Sequence, residues 1–278
     1  MAMKKLILLS CVLSTLLLAN DTTTEPLPDD LKLSLGAYII GDNKSLFKVE
    51  GHDGVSGAID LQKVLKMDTD VASLYFDGYY RFTPHHRIEF GYKGIFSSGY
   101  ASAGGILFPG DHQIDLRGEV NSKFNLQIAK LLYTYSFYHN EDVELGLSIG
   151  VHRTAIDFDL GATVGTSGSE FKLVIAPPIP VLGVRFDYNI YPEWDVLFSY
   201  DLIALVADVN LPESPHIDGI SGHMTDMNIA TEYRFFDNFS AGAAVNYNNL
   251  SFNFIRDDFD VGIDNRIVGF ALYGSFRY

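Results

Sequence analysis

The segment Ile267–Tyr278 reads I-V-G-F-A-L-Y-G-S-F-R-Y. Val268, Phe270, Leu272, Gly274, Phe276 and Tyr278 are apolar, aromatic or glycine, while Gly269, Ala271, Tyr273, Ser275 and Arg277 are small or carry a polar tip. A two-residue period puts these sets on opposite faces of a strand. One face suits an apolar environment, and the other must accommodate the charge of Arg277.

Upstream the same period recurs nine times. Leu31 to Ile39 alternates with Lys32, Ser34, Gly36 and Tyr38; Ala72 to Phe82 alternates with Tyr75, Asp77, Tyr79 and Arg81. Further runs are 87–96, 130–137, 143–152, 182–189, 194–201, 227–235 and 239–246, for ten strands in all. The connections between them alternate in length. Short ones fall at Thr83–His85, His139–Asp142, Tyr191–Glu193 and Phe236–Asn238; long polar ones fall at Gly41–Thr69, Ser97–Asn121, Phe158–Phe171, Asn210–Ser221 and Arg256–Asn265. Aromatics gather beside the short turns: Tyr80 and Phe82, Tyr133 to Phe137, Tyr188 and Trp194, Tyr233 and Phe235, Phe276 and Tyr278. Phe47–Glu50 and Ala58–Leu65 could pair as an extra hairpin, which would raise the count to twelve, while I-D-L-Q-K-V-L (59–65) reads equally as a turn or two of surface helix.

An even number of strands, alternating loop lengths and an aromatic girdle resemble the bacterial outer-membrane β-barrel class over residues 31–278. No motif selects a subfamily. The resemblance implies an all-β, single antiparallel up-and-down barrel with both ends on the short-turn, periplasmic side. It implies that Phe270, Leu272, Phe276 and Tyr278 form the closing-strand signal read by the barrel-insertion machinery. It also implies outer-membrane lipid and lipopolysaccharide as surroundings. Oligomeric state is not legible.

The N-terminus agrees with export. M-A-M-K-K precedes an apolar run from Leu6 to Leu18, Ala19 offers a small residue for cleavage, and D-T-T-T-E-P follows. Residues 1–19 read as a secretory signal peptide, because thirteen or so apolar residues fall short of the roughly 20 a spanning helix needs. Cys11, the only cysteine, lies inside it, so a lipoprotein anchor there would leave Val12 to Leu18 as an unexplained apolar start. Residues 20–30 read as a periplasmic lead-in. Beyond it no apolar run reaches eighteen residues, so helical spans are excluded. Without the leader, 20 basic residues become 18 against 35 acidic, a net of −17. That balance argues against nucleic acid as a partner.

An exterior touching hydrocarbon must be apolar, so the charged set points inward. It comprises Lys32, Arg81, Arg87, Lys93, Lys130, Arg185, Arg234 and Arg277 with Asp77, Glu89, Glu144, Asp187, Asp195, Asp201 and Glu232. Such near-balance in a narrow tube suits a paired polar network, with limited small-solute passage as the other use of the same lumen. The expected function is a structural or surface-interaction barrel.

Enzymatic readings rest on fewer residues. Asp111-His112 with Asp257-Asp258 is similar to the acid and Asp-His pairs of the omptin outer-membrane proteases, although their order along the chain is reversed. Lipid A-modifying barrels need a His at the membrane edge, and the final two strands have none. His216, Asp218 and His223, with Asp226, are weak metal candidates, H-x-D placing two side chains on one strand face. His85 and His86 are adjacent, point oppositely on a strand and so do not share a metal. No catalytic residue, metal or cofactor is expected from these patterns.

Overall fold

A computed structural model describes residues 29–278 except 52–55, 61, 64–65, 67–71, 104–105, 108–113, 116–117, 165–166, 176–177, 209–218 and 256–258. Among them run β1 (Leu31–Gly51), β2 (Ser56–Asp60), β3 (Ala72–Thr83), β4 (His86–Ala103), β5 (Ile106–Leu107), β6 (Ile114–Asp115) and β7 (Gly118–His139). There follow β8 (Val143–Val164), β9 (Ser167–Ile175), β10 (Pro178–Tyr191), β11 (Trp194–Asp208), β12 (Gly219–Phe236), β13 (Phe239–Ile255) and β14 (Phe259–Arg277).

The sheet is antiparallel and closed. Its order is β1-β3-β4-β7-β8-β10-β11-β12-β13-β14, and β14 returns to β1, giving ten wall strands. Closure is sealed at the short-turn end, where Leu31 and Tyr278 exchange both backbone hydrogen bonds at 2.9 Å. β2 pairs with Leu46–Glu50 of β1 above β3, and β9 pairs with Ile156–Val164 of β8 above β10. Of the hairpin expected between Phe47–Glu50 and Ala58–Leu65, the part up to Asp60 forms, Gln62 and Lys63 are helical, and the wall keeps ten strands.

One expectation is corrected. The long connections are mostly strand: β1 runs to Gly51, β7 starts at Gly118, β8 continues to Val164 and β14 starts at Phe259. In β8 the outward residues are Val143, Leu145, Leu147, Ile149 and Val151, and the inward ones include Glu144, Ser148 and His152. Beyond Val151 the period persists with opposite polarity. Arg153, Asp157 and Asp159 now face outward, while Ile156 and Phe158 are buried inside. β14 does the same: Phe270 and Leu272 face outward in one half, Asp264 and Arg266 in the other, where Ile263 and Ile267 turn inward. On β1 the change coincides with a bulge between Ile40 and Asp42, where Gly41 fits against the Phe270 ring.

The barrel thus has two halves. Toward the short turns it is apolar outside and ionic inside. Toward the long connections it is polar outside and filled by an apolar core that includes Phe47, Phe124, Leu126, Phe158, Ile203, Leu250, Phe252, Val261 and Ile263. Phe47 and Phe158 stack across that core with ring centroids 5.3 Å apart. The outward apolar stretch occupies roughly nine or ten residues per strand, the length that crosses a bilayer when tilted near 45°.

Two seams interrupt the ladder in the apolar-filled half. Among the described residues, β3–β4 pairing ends at Tyr75–Lys93 and β10–β11 pairing at Leu182–Leu202. The second has a clear cause. The Asn189 amide bonds the Asp142 carbonyl beside β8, so odd residues of β10 point their N–H groups to β8 and even ones to β11. Pro178 and Pro180 are even and have no N–H, so two donors to β11 are missing. At the first seam the Ser73 hydroxyl donates to the Gly94 carbonyl instead.

Two measurements check this division. Leu272→Arg, on the outward apolar half of β14, should cost about 2–4 kcal/mol in reversible unfolding from lipid vesicles, whereas Asn249→Arg, outward on the polar half of β13, should stay within about 0.5 kcal/mol. Pro180→Val should restore a donor facing β11. The amide gained at position 180 should then exchange more slowly than an unstructured one, with about 0.5–1.5 kcal/mol gained if the bond forms.

Candidate functional site

The ionic half of the lumen is the candidate site, and its side chains come from every wall strand. Inward phase is set by the hairpin turns, so charges far apart in sequence meet across the tube. Glu144 on β8 accepts from Arg81 Nη2 on β3 at 2.9 and 2.8 Å, from Arg87 Nη1 on β4 at 3.2 Å, and from the Ser136 hydroxyl on β7. Arg87 also bonds Glu89 at 2.8 Å and Asp187 at 3.0 Å. Glu89 passes the chain on to Arg185 Nε at 2.7 Å, and Arg185 Nη1 reaches Asp201 at 2.7 Å. Both oxygens of Glu89 thus face guanidinium groups.

A second cluster centres on Glu232. Glu232, 1 % exposed, accepts from Lys32 and Arg277 and from the Tyr273 hydroxyl at 2.9 Å. Arg277 continues to Asp195 at 2.6 Å, and Arg234 approaches Asp195 at 3.7 Å. A third sits at the border with the apolar core. There Lys93 bonds Asp226 at 2.5 Å and the Asn246 carbonyl at 2.7 Å, and Asn246 and Asn248 amides donate to Asp226. Lys130 pairs with Asp77 at 3.0 Å over Gly91, where a Cβ would lie 2.6 Å from Lys130 Cε.

Between these clusters lies a cavity of about 100 Å³, lined by Asp77, Lys93, Lys130, Asp187, Asp226 and Tyr75 among others. That is room for a few waters. Five carboxylates and five cationic groups border it (Asp77, Glu89, Asp187, Asp226, Glu232; Lys32, Arg87, Lys93, Lys130, Arg185), so it presents no net charge to a solute.

All fifteen residues of the expected inward set lie on the lumen side, in three joined clusters rather than a line. The charged set expected inward does not include Asp226, given above only as a metal candidate, nor Asn246, Tyr273, Tyr79 and His152, which share its polar faces. Asp226 is in phase with Asn228 and Glu232, so extending the 227–235 run one residue upstream finds it. Tyr79 receives Arg81 and Arg87 over its ring at 5.7 and 5.0 Å. His152 is 1 % exposed and lies 3.5 Å from Asp201 Oδ2.

The other candidates separate. His223 faces outward while Asp226 faces inward, so that pair shares no metal; His216 and Asp218 lie outside the described residues. Asp111, His112, Asp257 and Asp258 also lie outside them, as do residues 1–28 with the expected signal peptide. Among the described residues no group of three or more His, Cys, Asp and Glu has metal-binding geometry. Phe270, Leu272, Phe276 and Tyr278 form the outward face of the closing strand, and Phe276 packs on Phe239 at 5.3 Å.

No family model matches the chain, and no curated sequence relative is found. Among solved structures, the outer membrane protease OmpT from Escherichia coli is similar over 93 % of this chain and 100 % of that one, with a TM-score of 0.55 at 11 % identity. The outer membrane protein OprG from Pseudomonas aeruginosa aligns over 91 % and 98 %, at a TM-score of 0.42 and 10 % identity. Ail from Yersinia pestis aligns over 89 % and 99 %, at 0.32 and 10 %. The fold is that of a bacterial outer-membrane β-barrel, ten-stranded and up-and-down, and identities this low carry the fold alone.

The clusters make a sharp energetic claim. Glu232→Ala takes from Lys32 its paired carboxylate and leaves Arg277 to Asp195 and Asp29, so it should cost about 3–5 kcal/mol in denaturant unfolding, whereas removing the exposed Lys63–Asp60 pair should cost about 0–1 kcal/mol.

Proposed function

We propose that this protein is a sealed, integral outer-membrane barrel whose role is structural or surface-interactive rather than conductive or catalytic. The observation that supports the reading is the double closure of its lumen. Cross-strand ion pairs fill one half, and a packed apolar core fills the other. An ion crossing from end to end would have to break buried guanidinium–carboxylate pairs and then leave water entirely for the Phe47–Phe158 tier. Transfer of an unpaired ion into such a medium is prohibitive.

In this reading residues 1–19 are a cleaved export signal and 20–30 a periplasmic lead-in. The outward face of β14 is read by the insertion machinery, and the apolar exterior lies in outer-membrane lipid beside lipopolysaccharide. The half with polar exterior and apolar core stands clear of the membrane and presents the acidic connections to the medium.

The test is electrical. The purified barrel reconstituted in a planar bilayer should show no steady conductance steps in 1 M KCl. Reproducible ohmic steps would overturn the sealed-lumen reading in favour of small-solute passage.

A further inference from the structure

The outward face carries a charge pattern that the lumen does not explain. The chain has 35 acidic residues against 20 basic. Yet on three strands the first charged side chain to face outward beyond the apolar stretch is basic: Lys123 on β7, Arg153 on β8 and Arg266 on β14. The outward acids of the same strands, Glu119, Asp157 and Asp264, lie farther from it. The pattern is densest where β14 meets β1. Lys44 and Arg266 are both exposed and stand directly opposite each other across that pairing. Like charges placed so repel. Arg266 is offset in part by Asp42 at 3.3 Å, and Asp264 is taken up by Lys48 at 2.5 Å and by the Ser251 hydroxyl at 2.6 Å. Among the described residues no carboxylate pairs with Lys44. Asn249 and Thr225 continue the same row on β13 and β12 with neutral hydrogen-bonding groups. On the short-turn side of the row, Ile39 and Phe270 are cross-strand partners, and both are exposed, as is Leu272.

We propose that Lys44 and Arg266, with Asn249 and Thr225 beside them, form a site for a phosphate of the lipid A of lipopolysaccharide, its acyl chains lying on Ile39, Phe270 and Leu272. The depth fits. Arg266 is two residues beyond Val268, the last outward apolar residue of β14, which is about 7 Å along the strand and about 5 Å in height at a tilt near 45°. Polar head groups occupy about the first 5–7 Å outside the hydrocarbon. The chemistry fits as well. A phosphate between the two cations ends their repulsion and offers acceptor oxygens to both, Arg266 as a fork of donors and Lys44 as a point charge. A soluble acidic polymer would answer the charge and leave the apolar side chains below it bare. The proposal rests on the membrane placement given above: with the short turns periplasmic, this row meets the outer leaflet, where lipopolysaccharide is the anionic lipid.

The experiment uses the full-length barrel folded in zwitterionic detergent micelles at pH 7.5 and titrated with diphosphoryl lipid A. Binding to the folded form raises the thermal midpoint by mass action. The expected result is a saturable rise, absent with lipid A stripped of its phosphates and with inorganic phosphate, and smaller with phosphatidylglycerol. Each basic side chain at an anionic lipid surface counts for about fivefold in affinity, so the double variant Lys44→Gln, Arg266→Gln should bind lipid A at least about tenfold more weakly. Lys63→Gln, which removes an exposed charge beyond β2, should stay within about twofold. Both changed side chains of the double variant are exposed, and heat-dependent gel migration confirms that each variant is folded. No rise with lipid A, an equal rise with the stripped lipid, inorganic phosphate or phosphatidylglycerol, unchanged affinity in the double variant, or an equal loss with Lys63→Gln overturns the proposal. None of these outcomes bears on conductance, so the sealed-lumen reading is tested separately.

Discussion

A sheet surrounded by hydrocarbon survives only if it has no free edge, because lipid offers nothing to an unpaired N–H or carbonyl. The meeting of β1 with β14 meets that requirement. It spans 19 paired positions from Lys32–Arg277 to Gly51–Phe259, and the reciprocal Leu31–Tyr278 bonds seal its end. Closure fixes the phase of every strand, and phase decides which side chains share the tube. Slipping any hairpin by one residue would send Arg81, Glu144 or Glu232 into lipid. The ion-pair clusters are therefore a consequence of closure as well as a support for it. Their charges lie inside because the outside forbids them, and they pair because the inside is too narrow to hydrate them.

How much of this is readable in the sequence depends on which boundary a strand crosses. All ten strands are legible from their lower halves, where apolar and polar residues alternate in one fixed phase. The same rule ends each strand too early. On β8 the outward set changes from Val151 to Arg153, and on β14 from Val268 to Arg266. A period of two is unbroken through both changes, but its polarity reverses. The reversal marks the wall leaving hydrocarbon for water, so the burden of solubility passes from the inner face to the outer one. The pairing of Arg81 with Glu144, 63 residues away, was not legible, because it depends on barrel closure and shear rather than local pattern.

The seams show what that reversal permits. Within the ionic half each wall strand is laddered to both neighbours, whereas at Leu182–Leu202 and Tyr75–Lys93 the ladder stops. Backbone groups freed there must still be satisfied. Pro178 and Pro180 remove the donors outright, and Ser73 supplies a side-chain hydroxyl to the Gly94 carbonyl. Among the described residues, the wall above the seams is two facing sheets. β4, β7, β8 and β9 form one, and β11, β12, β13, β14, β1 and β2 form the other. Phe158 belongs to the first and Phe47 to the second. Their stacking, with the apolar tier around it, holds together what hydrogen bonds no longer do. An aqueous two-sheet sandwich needs an apolar filling, and a membrane cylinder needs an apolar coat. One chain meets both demands by carrying its hydrophobic face from outside to inside along the same strands.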